Sequence, residues 1–137
     1  MIRHVQIALC LILTLAACDN PFSPTNENVA GTYTLLRLVS VTGGHVTDWR
    51  PRGATFSISL APNGSTTGQL FIPGADESGA DFSVDMTGTW TLSGDTVRFT
   101  QTADSFVRDM TFIAHENWLG GDYTSGDDRV IAAVAKR

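Results

Sequence analysis

The sequence predicts an all-β domain over residues 31–137, with eight antiparallel strands in up-and-down order closing into a barrel. Apolar residues recur with a period of two, the links between apolar runs are short and rich in Gly, Asn and Asp, and no stretch keeps a helical period.

The first strand, 31–41, is "GTYTLLRLVSV" and is broken by Gly43 and Gly44. Tyr33, Leu35, Arg37, Val39 and Val41 share one phase of it. The second, 54–60, alternates through Phe56, Ile58 and Leu60. Asn63-Gly64 then supplies a strong short hairpin signal, because both central residues of such a turn need a backbone that Asn and Gly tolerate. The third strand, 66–72, runs to Pro73, which cannot donate to a ladder. The fourth, 81–92, is the clearest, with Phe82, Val84, Met86, Gly88, Trp90 and Leu92 on one face and polar residues on the other. Gly94-Asp95 turns the chain into the fifth strand, 96–102, with Val97 and Phe99 inward. The sixth is placed at 109–114, the seventh at 118–123 and the eighth at 128–135, with turns at His115–Asn117 and at "TSGDD". Many short strands with regular turns make a sandwich or a barrel. An even number of antiparallel neighbours lets the last strand pair with the first, which leaves no free edge.

The start of the chain carries an address. Residues 1–17 have a positive beginning at Arg3 and His4, an apolar run from Val5 to Leu15, and small residues Ala16 and Ala17. That is the build of a secretory signal peptide. Leu15-Ala16-Ala17-Cys18 resembles the bacterial lipobox at all four positions. The resemblance implies diacylglycerol on the Cys18 thiol, cleavage before Cys18 and acylation of the new amino group. Two or three acyl chains hold a protein on a membrane where one holds it only marginally. Asp19 resembles an inner-membrane retention signal of enteric bacteria. Residues 18–30, with two prolines and little apolar content, are expected to be the lipidated cysteine and a flexible tether. The expected location is therefore the bacterial cell envelope, with the domain lipid-anchored and exported.

With Cys10 in the signal and Cys18 lipidated, neither of the two cysteines is left for a disulfide or a thiol nucleophile. Of 9 Lys and Arg residues, Arg3 leaves with the signal, so 8 bases face 14 acids and the mature chain carries net −6. That charge disfavours nucleic acid as a partner.

The pieces "GTYTL", "SVTGG", "SISLAPNGS", "GTWTLSGDTVRFT" and the final "RVIAAVAKR" are similar, in order, to small bacterial lipocalin-like (calycin-type) β-barrel lipoproteins. Tyr33 stands where the lipocalin Gly-x-Trp signature has tryptophan. The resemblance implies binding of a small apolar or amphipathic ligand inside the barrel. Other envelope barrels that this chain resembles inhibit proteases through an extended N-terminal arm. They supply the alternative expectation, a protein-interaction module without a small ligand.

Chemistry is sparse. His45 and His115 lack zinc spacing, and the acids of "GADESGAD" depart from a calcium loop. There is no Gly-x-Ser-x-Gly and no phosphate loop, so neither an enzyme activity nor a cofactor is expected. Four residues stand out as candidate ligand contacts. Arg37 and Arg108 fall in the inward phase of their strands, where a guanidinium would suit a ligand carboxylate; a bulge at Arg37 or a late strand start at Arg108 would instead turn them outward. Tyr33 and Trp90 would line a pocket or fill the core.

Overall fold

The computed structural model describes residues 21–137. Its strands are β1 (Gly31–Thr42), β2 (His45–Asp48), β3 (Thr55–Leu60), β4 (Ser65–Ile72), β5 (Phe82–Asp85), β6 (Gly88–Ser93), β7 (Thr96–Gln101), β8 (Thr111–Ala114), β9 (Trp118–Ser125) and β10 (Asp128–Lys136). Two single helical turns are added, α1 (Asn26–Val29) and α2 (Phe106–Asp109). Every pairing is antiparallel; β1 pairs with β3 as well as β2, β4 with β6 as well as β5, and β10 returns to pair with β1. The barrel is closed.

Ten strand segments make eight staves. β5 and β6 form one stave, because the register that pairs Gln69 with Asp85 is the one that pairs Thr66 with Gly88. Likewise β1 pairs with β3 near its start and with β2 near its end, so β2 and β3 continue one another around a loop at 49–54. The expected eight strands are all present near their expected positions, and the alternation of the fourth is as read: Met86 and Trp90 are buried while Thr87, Thr89 and Thr91 are exposed.

The core is one continuous cluster running from Val29 and Tyr33 through Ile58, Leu70, Trp90 and Phe112 to Leu38 and Val134. Two glycines let the wall bend. A Cβ on Gly68 would run into the Ser57 carbonyl, and one on Gly88 into the Thr100 carbonyl. Gly68 also has a φ of +142°, which side-chain-bearing residues rarely adopt. Such sites are the corners of a small barrel.

The sequence reading needs three corrections. β1 contains a bulge: Leu35 pairs with Val134, but Arg37, not Leu36, pairs with Ala133. A bulge slips the period by one, and a one-residue slip sends every later side chain to the other face. Leu38 and Ser40 therefore point inward beyond it, while Arg37 is left exposed on the outer face. The expected sixth strand begins at Thr111, because residues 106–109 coil into α2 instead. Finally, residues 21–30 of the expected tether are folded. Thr25 caps α1, its hydroxyl accepting from the Asn28 N–H while the Asn28 side chain accepts from the Thr25 N–H. Phe22 packs on the core, and Asn28 Nδ2 donates to the Ser23 carbonyl.

Trp90 is 4% exposed and its indole N–H donates to the Ala61 carbonyl at 2.8 Å. Trp90→Ala is expected to cost about 3–5 kcal/mol. Thr89→Ala on the outer face should stay near ~0.5 kcal/mol. Denaturant unfolding of both variants checks the pair, and equal small effects would refute the burial.

Candidate functional site at the barrel mouth

The two ends of the barrel differ. One end is plugged. Val29 of α1 sits there, and the Tyr33 hydroxyl donates to its carbonyl at 2.6 Å. The Lys136 ammonium donates to the Asn28 carbonyl at 2.7 Å, and the Arg137 N–H donates to the Thr32 carbonyl. Tyr33 and Trp90, expected as candidate pocket residues, are structural at this end: each buries its ring and spends its polar atom on a backbone carbonyl.

The other end is open to a small concavity. It has a volume of about 230 Å³ and is lined by Leu38, Ser40, Thr42, Trp49, Ile72, Ala75, Phe106 and Val130. β1 supplies Leu38, Ser40 and Thr42 because the bulge has turned that phase inward. Trp49 comes from the loop between β2 and β3, and its Nε1 donates to Ser40 Oγ at 2.8 Å, which fixes the indole as a wall. Arg52 lies over the Trp49 ring at 5.8 Å on the loop side.

Phe106 is brought in by α2, and the reason lies in the sheet. β7 pairs with β8 only over Thr96–Arg98, and β5 pairs with β4 alone. Toward the mouth the wall thus lacks a ladder between β5 and β9, and the 102–110 segment supplies the cover. Val107 and Met110 anchor it, both fully buried. Its root is imperfect. Gln101 Nε2 donates to the Met86 carbonyl, which Thr66 Oγ1 also contacts, but Gln101 Oε1 and Ser105 Oγ are buried without a partner among the described residues. A buried unpaired polar group costs about 1–3 kcal/mol, so this segment is the least firmly held part of the wall.

The mouth lining carries no ionisable side chain. It can hold a small apolar body against Leu38, Ile72, Phe106 and Val130, and offer the hydroxyls of Ser40 and Thr42 to one polar atom.

The other sequence candidates are not brought to it. Arg37 is exposed on the outer face, carried there by the bulge. Arg108 is exposed on α2, its Nη2 2.7 Å from Asp104 Oδ1 and its Nε 3.4 Å from Asp109 Oδ1. Of the two placements open for each arginine, the outward one holds, and among the described residues no guanidinium faces the core. Cys18 lies outside the described residues. Trp49 and Phe106 were missed by sequence reasoning. Trp49 lay in a loop and Phe106 in a presumed strand approach, and the only available signal was a large aromatic among polar neighbours. Compared with known proteins, the chain matches no family model, no curated protein and no solved structure.

Burial pushes the Tyr33 phenol up to about 12 from its ordinary 10.0. The folded state thus keeps a proton that the unfolded chain gives up first. This contribution is intact below pH 10.0 and is lost as pH rises toward about 12. Melting curves across that window should fall steeply for wild type and less steeply for Tyr33→Phe. Identical slopes would mean that the phenol is not sealed in the plug.

Proposed function

We propose that this protein is a lipid-anchored module of the bacterial cell envelope whose barrel holds a small, neutral, largely apolar molecule at its mouth, without catalysis. The mouth concavity carries the reading: an apolar pocket with two hydroxyls is the usual form of a small-molecule site. Its volume lies just below the roughly 300–1,000 Å³ common for drug-sized ligands, so the ligand is small. The absence of an inward arginine argues against an acid-headed ligand such as a fatty acid. The lipocalin-like resemblance of the strand sequences supports the same class of function. The anchor rests on Leu15-Ala16-Ala17-Cys18.

The rival, a protein-interaction module, draws on the filled lower core and on exposed Leu36, Val46, Ile113 and Trp118. An inhibitory N-terminal arm fits less well, since residues 21–30 fold back on the barrel.

Titration with octanol, followed by Trp49 fluorescence, tests the mouth. Saturable binding is expected, weakened tenfold or more, about 1.4 kcal/mol, by Val130→Trp, which fills the site. Octanoate should bind no better than octanol, and Arg37→Gln should leave both unchanged. Absence of saturation, or indifference to Val130→Trp, would shift the reading to the interaction module.

The anchor has its own test. Cys18→Ala should leave a precursor without lipid, and globomycin, which blocks the lipoprotein signal peptidase, should make the wild-type precursor accumulate. Normal maturation under the drug without lipid would remove the anchor.

A further inference from the structure

The plugged end of the barrel carries an apolar outer flank that the binding site does not use. Neighbouring strands place Ile113, Gly120, Ala133 and Arg37 in one outward row. Trp118 lies one step nearer the plug, opposite Ala135 and, beyond it, Thr34. Its indole lies across Gly120, where a Cβ would meet the ring, and stacks on His115 with ring centres 3.8 Å apart and planes 8° apart. Trp118 is 39% exposed and Ile113 36%. With Ile131 they line an open, mainly apolar groove on the outside of β8–β10.

The His115 and Trp118 part of the groove lies at the α1 end, and the groove runs from there along the wall to Asp122 and Ile131. The Lys136 N–H donates to the Asn117 carbonyl while the Lys136 ammonium holds the Asn28 carbonyl, so the β8–β9 turn and α1 are joined through one residue. The chain is pinned to this end from Phe22 onward. Four Cα steps separate Phe22 from Cys18, and at 3.8 Å each they span at most about 15 Å.

We propose that Trp118, His115 and Ile113 form a lipid-docking flank that seats the plugged end of the barrel on the membrane interface, with the mouth facing away. This rests on the reading of Cys18 as the lipid-bearing residue. A short leash from a folded plug forces this end against the bilayer, and the apolar flank is what it presents there. An indole with an apolar body and one N–H suits the headgroup boundary. The attraction is apolar rather than ionic, because the groove's own charges, Arg37 and Asp122, are opposite in sign, and Lys136 and Arg137 share this end with Asp95 and Glu116 in its turns.

Depth-resolved quenching tests the seating. The full chain is purified from membranes and placed in vesicles of phosphatidylethanolamine and phosphatidylglycerol with brominated acyl chains. The N-terminal fragment is weighed in parallel. Emission is expected to fall, and the fall is expected to vanish in Trp118→Phe and to persist in Trp49→Phe, whose indole is at the far end. Ile113→Asp should reduce quenching without a change in melting temperature. If lipid is present on the fragment yet Trp118→Phe is quenched as strongly as wild type, the docking flank is refuted. Quenching that depends on Trp49 would show the mouth facing the membrane, which also refutes it. A fragment without lipid overturns the anchor reading instead, and with it this seating.

Discussion

Everything in this fold depends on the pairing of the last strand with the first. β10 lies along β1 from Tyr33–Lys136 to Val41–Arg129, and that ladder converts a meander of hairpins into a closed wall. Without it both strands would present rows of unpaired amides, a template for association with other chains. The pairing is also what allows the β1 bulge to matter. Held by β10 on both sides of the slip, β1 cannot relax its register, so the extra residue must be absorbed by exchanging faces. Leu38 enters the core and Leu36 is left at 46% exposure.

Closure is complete at one end and partial at the other. At the plugged end, aromatic rings fill the axis and donate to backbone carbonyls, while α1, Lys136 and the start of β1 lock together. At the mouth, β7 leaves the wall after Gln101 and a single helical turn covers the seam. A concavity forms where cover is supplied by a short segment with two unpaired buried polar atoms rather than by a ladder.

Among the described residues, no charged side chain is buried in the core. Arg129 pairs with Asp122 on the outer surface, its Nε 2.9 Å from Oδ1, which holds the Asp122 carboxyl below the usual range. Arg108 is spent on Asp104 and Asp109. These exposed pairs contribute little to stability. Their consequence is for the surface: these charges are spent on one another outside the barrel wall.

The alternation of Phe82 to Leu92, the Asn63-Gly64 and Gly94-Asp95 turns and the number of strands were legible in the sequence, because period and turn chemistry are local. From these the barrel and the burial of Tyr33 and Trp90 could be derived. The outward turn of Arg37 could be named as an alternative but not decided, since a bulge in β1 shows itself only against the register of β10, about a hundred residues away. The same holds for Trp49 and Phe106. One sits in a loop and the other on a turn, and neither has a local period that assigns it to a face. Only tertiary structure, by leaving the seam between β5 and β9 without a ladder and drawing α2 into it, decided that these two rings would meet Leu38 at the mouth.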